Sequence, residues 1–251
     1  MQLTQNLYDH FAEKAQNTRL TRLSVGLKYT AVQTDDGGMG VAFTYVGNAH
    51  CRSPNGEYRD YEGTSAIELL PAITDPAPLK RSIGLALVNA LNHSRAAQLP
   101  EESGEPAWMD AFGVGAGTRV AMVGFFKPLM KKFKERGAAV DILDDLKGVG
   151  NRAEFREKLK SQTQVLLLTS TSILNDSTEE MLARLNPEAK TVMIGPSTPL
   201  APEAFRHLPV QMLAGTLPED QIGVLKAVRH GEGTPVIHRF SRKVYAVTPK
   251  A

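Results

Sequence analysis

Residues 120–143 read VAMVGFFKPLMKKFKERGAAVDIL. The apolar run Val120–Val123 is the length of a strand and has the unbroken hydrophobicity of one buried on both faces. Pro128 suits the first turn of a helix, where its missing N–H costs nothing, and Gly137 suits the residue just past its end. Between them, Leu129, Met130 and Phe133 are spaced to face a core while the lysines and arginine form a solvated face. Val140–Leu143 is the next strand.

The unit then repeats along the chain. A helix around Ala153–Ser161 leads to the strand Val165–Leu168, and a helix over Ser177–Leu185 follows, with Ser177 and Glu180 spaced as a capping box. Val192–Ile194 is the next strand, followed by a short helix over Pro202–His207 and a strand over Val210–Leu213. Strand and helix alternate about every 20–25 residues, which predicts an α/β fold with a parallel, Rossmann-like sheet. A helix over Asp220–Arg229 and an apolar, strand-like stretch, Val236–Val247, complete the chain without a readable docking partner.

The first hundred residues are patterned differently. Leu3, Leu7, Tyr8 and Phe11 fall on one face of a helix over Leu3–Ala15. Arg22–Gln33 alternates as one half-buried strand, and the turn Asp35–Gly40 leads to a second strand, Val41–Val46, in an antiparallel hairpin. A weaker strand is expected near Cys51–Tyr61, then helices over Ser65–Ala72 and Leu79–Leu91. Strands followed by helices indicate a smaller α+β unit. The stretch LPEESGEPAWMDAFGVGAGT, rich in Pro, Gly and acid, separates the two patterns, giving expected domains of residues 1–100 and 101–251.

Composition excludes several classes. A chain of 251 residues with 42% hydrophobic and 22% charged residues is ordinary for a globular protein. Its net charge of +2 gives no reason to expect nucleic acid or an anionic membrane as partner. The single cysteine, Cys51, rules out an internal disulfide and a cysteine-rich zinc site. The first residues form an amphipathic helix rather than an apolar leader, and no apolar run is long enough to span a membrane, so a soluble cytoplasmic location is expected. The expected partner is a small-molecule ligand, with homo-oligomerisation left open.

In a parallel α/β sheet, the loops after the strands gather at one edge, where ligands bind. Two of these loops are rich in hydroxyls and glycine: Thr169, Ser170, Thr171 and Asn175 after one strand, and Gly195, Pro196, Ser197 and Thr198 after the next. The first strand is followed by Gly124 and Phe125, with a single glycine where a dinucleotide site needs three. Gly113, Gly115 and Gly117 precede that strand, and bulky Phe125 and Phe126 hinder the backbone approach that a pyrophosphate requires. A nicotinamide or flavin cofactor is therefore not expected. Asp144 ends the second strand, where an acid holds ribose hydroxyls in nucleotide-binding sheets. The equally available reading is a solvated strand end.

No G-x-S-x-G elbow is present, and neither Ser170 nor Ser197 has a recognisable relay, so catalytic residues are not identifiable. Of the six histidines, none sits in an H-x-x-x-H or H-E-x-x-H pattern, and His50 and Cys51, adjacent on a strand, would point to opposite faces.

These pieces resemble a known family. Residues 118–230, through VAMVGFFKPLMKKFKERGAAVDILDD, VLLLTSTSILNDSTEEML and TVMIGPSTPLAPEAF, resemble the "putative heavy-metal chelation" domain family, formerly a domain of unknown function. Gly26–Val32, Gly37–Thr44 and Gly84–His93 resemble the enolase-N-terminal-like domain that accompanies it. The resemblance implies a cleft between the two folds and the handling of a heavy metal or divalent metal. Hydroxyl, amide and backbone groups hold transition metals poorly, so an organic chelate recognised through its polar groups fits better than direct coordination. Asn89, Asn92 and His93 either project into that cleft or cap their own helix. The alternative from the enzyme class is a transferase-like protein using an adenosine-bearing cofactor, such as S-adenosylmethionine, at Asp144.

Overall fold

A computed structural model describes residues 1–46, 59–102 and 104–249. Helix α1 (Gln2–Gln16) precedes a three-stranded antiparallel meander of β1 (Leu20–Val25), β2 (Tyr29–Thr34) and β3 (Met39–Phe43). Two 3₁₀ turns, Ala66–Glu68 and Leu70–Thr74, lead to α2 (Pro78–Leu91) and the short α3 (His93–Ala96). After α4 (Ala107–Ala111) the alternation begins: β4 (Arg119–Val123), α5 (Lys127–Arg136), β5 (Ala139–Leu143), α6 (Arg152–Ser161), β6 (Val165–Thr169), α7 (Thr178–Ala183), β7 (Lys190–Ile194) and β8 (Met212–Pro218). The chain closes with α8 (Gln221–Arg229), α9 (Thr234–Ile237) and β9 (Ser241–Val247).

The large sheet has the order β5-β4-β6-β7-β8-β9, parallel except for β9, which lies antiparallel on β8. The chain leaves β4 toward β5 on one side and returns to β6 on the other. That reversal is the switch point of a doubly wound sheet, and it opens a crevice beyond the ends of β4 and β6.

Alternation within each strand divides the core. Val120, Met122, Val165, Leu167 and Val192 pack with Trp108, Leu129 and Phe133 on one face. Ala121, Val123, Leu166, Leu168 and Met193 pack on the other with Phe155, Leu159 and Leu182. This second cluster continues without a break into Leu3, Leu7, Val32, Leu85 and Leu87 of the amino-terminal region.

The small sheet is covered on both faces. Val32 and Ala42 face α2, whereas Tyr29, Ala31, Met39 and Val41 face Val224, Val228 and Ile237. At Gly40 the backbone of α2 comes so close that a β-carbon would stand 2.2 Å from both the Ala86 oxygen and the Ala90 nitrogen.

Several local expectations are corrected. The single strand expected over Arg22–Gln33 is two strands, joined by a turn at Leu27 and Lys28 that the Gly26 N–H closes on the Tyr29 carbonyl at 2.9 Å. The residues from Thr44 onward lie outside β3, so the second expected strand is shorter. Ser65–Ala72 forms 3₁₀ turns rather than one helix, because Pro71 cannot donate the bond that an α-helix needs there. Ser177 does not cap α7. Its hydroxyl donates to Asn175 Oδ1 at 2.6 Å, and Glu180 pairs with Arg156 and Arg184 instead. Val236–Phe240 is helical, with Pro235 in the first turn of α9, and only Ser241–Val247 is strand. All but the last three residues of the strand expected at Cys51–Tyr61, and the His50–Cys51 pair, lie outside the described residues. Among the described residues no helix is long and apolar enough to cross a membrane.

Candidate functional site

A cavity of about 740 Å³ opens at the crevice between the ends of β4 and β6. Gly124, Phe125, Asp144, Thr169, Ser170, Thr171, Asn175, Gly195, Pro196 and Ser197 all border it. Asn89 and Thr198 do not.

Two glycines let the three loops pack closely. Gly124 has φ +87°, and a β-carbon there would stand 3.0 Å from that of Thr169. Gly195 has φ +132°, and its β-carbon would stand 2.8 Å from Ser170 Oγ. Both glycines occupy backbone conformations that side chains disfavour, at positions where a neighbouring loop fills the space. The three loop ends therefore lie side by side, as two glycines allow.

The hydroxyls are partly committed to shaping these loops. Thr169 caps the 3₁₀ turn Ser170–Ile173, its Oγ1 accepting from Thr171 N at 3.4 Å and lying 3.0 Å from Thr171 Oγ1. Ser197 Oγ accepts the Phe43 N–H at 2.7 Å, so the end of β3 hangs on this loop. Asn89 donates to the Val41 carbonyl at 2.9 Å and the Ser197 carbonyl at 3.3 Å, tying α2, β3 and the loop together. Asn92 donates to the Leu200 carbonyl at 2.7 Å. Thr198 is buried, and its Oγ1 has no hydrogen-bond partner among the described residues. Burial pushes His93 below its ordinary value, with the Asp36 carboxylate opposing that shift.

Asp144 is nearly buried and serves as a loop anchor. Its Oδ2 accepts from Phe125 N at 2.9 Å and its Oδ1 from Lys147 N at 3.0 Å. The first two amides after β4, which in a phosphate loop would face the ligand, are therefore taken, Gly124 N by the Leu143 carbonyl at 2.8 Å and Phe125 N by this carboxylate.

The amino-terminal region supplies the facing wall. Tyr29, Phe43 and Tyr45 form a chain of edge-to-face rings, with centroids 6.0 and 6.4 Å apart. Tyr29 OH lies 2.6 Å from Thr234 Oγ1, and burial pushes its phenol up to about 12. Arg81, buried on α2, donates to the Ile173 and Leu174 carbonyls at 3.3 and 3.0 Å, and so grips the loop that follows Thr169.

Sequence reading missed the far end of the cavity, where Glu102, Thr216, His238 and Lys243 border it. His238 Nε2 lies 3.1 Å from Thr216 Oγ1, and burial, aided by the Lys243 charge, holds the ring down at about 4, neutral at physiological pH. Burial raises the Glu102 carboxyl above its ordinary value, and its Oε1 is buried with no hydrogen-bond partner among the described residues. No motif marks these residues, because each comes from a different segment.

Lysines outnumber carboxylates around the cavity: Lys28, Lys127, Lys132, Lys147 and Lys243 against Glu102, Asp144 and Asp145. The remaining wall is mainly apolar, built from the three aromatic residues above with Phe125, Phe126 and Ile194. Among the described residues no group of three or more His, Cys, Asp or Glu side chains is placed to hold a metal ion.

Residues 107–247 match the family model DUF364, described as "Putative heavy-metal chelation", and residues 8–92 match DUF4213, which carries the same description. A DUF364-family protein of unknown function from Pyrococcus horikoshii is similar in structure, with a TM-score of 0.82 and 20% identity over 98% of this chain and 100% of that one. A second DUF364-family protein of unknown function, from Desulfitobacterium hafniense, superposes with a TM-score of 0.75 and 20% identity, over 98% and 99% of the two chains. No curated protein matches.

Proposed function

The chain belongs to the family described as "Putative heavy-metal chelation", and from that premise we propose that it binds an anionic organic small molecule in the cavity at the β4–β6 crevice. Where metal is handled, it enters as a chelate held by that molecule.

The observation that carries this reading is the chemistry of the wall. A resident transition metal needs a compact set of imidazole, thiolate or carboxylate donors. The cavity offers neutral hydroxyls, an excess of lysines and a broad apolar surface. Asp144, a carboxylate on the cavity wall just past β5, already accepts two backbone amides. The donor set does not fit a bare cation, which the lysines repel, whereas it suits an organic body with negative groups. A volume of about 740 Å³ is within the range of small-molecule pockets.

Isothermal titration with Ni²⁺ chloride and with the anionic Ni²⁺–nitrilotriacetate complex tests the reading. Heat is expected with the chelate and not with the aqua ion. Stoichiometric binding of Ni²⁺ alone, tighter than that of the chelate, would overturn it.

The adenosine reading rests on Asp144 at the end of β5, where it borders the cavity. A ribose there would share a carboxylate already holding Phe125 and Lys147. Thermal stabilisation by S-adenosylmethionine that is lost in Asp144→Ala would favour this reading.

A further inference from the structure

We propose that the far end of the cavity, formed by Glu102, Thr216, His238 and Lys243, is a recognition subsite for a carboxylate bearing a hydroxyl nearby, as in hydroxypolycarboxylic acids. The inference rests on the reading that the cavity binds an organic anion, and it names the chemical class.

Four segments converge here. Glu102 follows the bridge between Glu101 and Val244, and its own N–H donates to the Lys243 carbonyl at 2.9 Å, which fixes it beside β9. Thr216 belongs to β8 and Lys243 to the neighbouring β9, where the two residues are directly paired. His238 lies in the 3₁₀ turn just before β9 and meets Thr216. All four line the same cavity.

The hydrogen-bond inventory sets the ligand's chemistry. Glu102 Oε1 is buried at the cavity lining without a hydrogen-bond partner among the described residues, while the Ala107 N–H and the Lys243 and Lys132 charges act on the carboxyl against its burial. An acceptor in that state is costly unless something donates to it. Lys243 is exposed at the cavity wall, has no ion pair among the described residues, and its charge reaches both Glu102 and His238. A cationic donor for Glu102 would meet Lys243, so a neutral hydroxyl is the better complement. The ammonium in turn calls for a negative group on the same ligand. The Thr216–His238 pair is neutral and can donate or accept, so it completes a site for oxygen-rich groups without adding charge. Lys132 reaches the same end but is already paired with Glu105 at 2.5 Å, which leaves Lys243 as the anchor.

Citrate and propane-1,2,3-tricarboxylate carry the same carboxylates and differ by one hydroxyl, so they isolate the claim. Competition against a bound fluorescent polycarboxylate is expected to show citrate binding about tenfold tighter, as suits one hydrogen bond to a buried carboxyl oxygen. Glu102→Ala should erase that preference, and Lys243→Met should weaken both acids together. Equal binding of the two acids by the unaltered protein, or a preference that survives Glu102→Ala, would overturn the subsite while leaving the cavity reading intact. Failure of both acids and of the nitrilotriacetate chelate to bind would remove both. Should Glu102→Ala unfold, Glu102→Gln keeps the volume and is expected to reduce the preference, and an unchanged preference there counts against the proposal.

Discussion

The two walls of the cavity meet at the same loops but are secured in different ways. At the sheet edge, β4, β6 and β7 end in loops pressed together, the backbone of Gly124 and Gly195 lying directly on the Thr169 and Ser170 side chains. The facing amino-terminal wall is tied across by hydrogen bonds that each use a side chain, from Arg81 to Ile173 and Leu174, from Asn89 to Ser197, and from the Phe43 N–H to Ser197 Oγ. A wall of glycines packed on the next loop's side chains changes shape only by moving whole loops. A wall tethered by hydrogen bonds can be loosened one bond at a time. The edge is thus set by close loop packing, whereas the amino-terminal wall adds side-chain hydrogen bonds to the apolar core that the two share.

The strongest test of that contrast is the tether. Arg81→Ala removes the buried donors that satisfy two carbonyls, and urea unfolding should show a loss of about 3 kcal/mol. Faster amide exchange over residues 170–176 should accompany the loss. If exchange there is unchanged, Arg81 does not hold the walls together.

The edge itself is broken by Gly195→Ala. The left-handed φ and the contact with Ser170 Oγ at 2.8 Å should together cost about 2 kcal/mol. Chelate affinity should fall at the same time, because Ser170 must shift. A stability loss larger than that of Arg81→Ala would reverse the ranking of the two walls.

The smallest effect is a pH dependence from His238, which lies between the walls. Its ring is held at about 4 against an ordinary 6.5, so the unfolded chain takes up the proton first as pH falls. Stability is therefore full above about 6.5 and declines as pH drops toward 4. The loss should be about 1–2 kcal/mol once the ring's partial exposure is allowed for. Thermal midpoints of the native protein and of His238→Gln, measured across that interval, should diverge at the acid end. Parallel curves would mean that another group dominates.

How much of this could be read from the chain depends on how each element announces itself. The parallel strands are short unbroken apolar runs between helices with ordinary stop signals, so their positions along the chain were legible from Val120 through Ile194. The split between β1 and β2 was hidden because Leu27, fully apolar, sits at an exposed turn and continues the alternation on either side. Val236–Phe240 misled in the same way, since Ile237 is apolar because it packs on α8, not because it is in a strand. The crevice loops were legible because hydroxyls and glycine cluster after strands. Glu102, His238 and Lys243 were not, because they meet only through the antiparallel return of β9 onto β8.

That small sheet has a further consequence for how the chain is made. One of its two covers, α2, follows within the same region, but the other is α8, and the Gln33–Gln221 hydrogen bond spans 188 residues. During synthesis the meander stands half-dressed, with Tyr29, Ala31, Met39 and Val41 exposed to the cell until nearly the entire chain has emerged. Such long-range closure slows folding and leaves a sticky intermediate. A ribosome paused before α8 would display that apolar face, making the nascent chain a natural client for a holding chaperone.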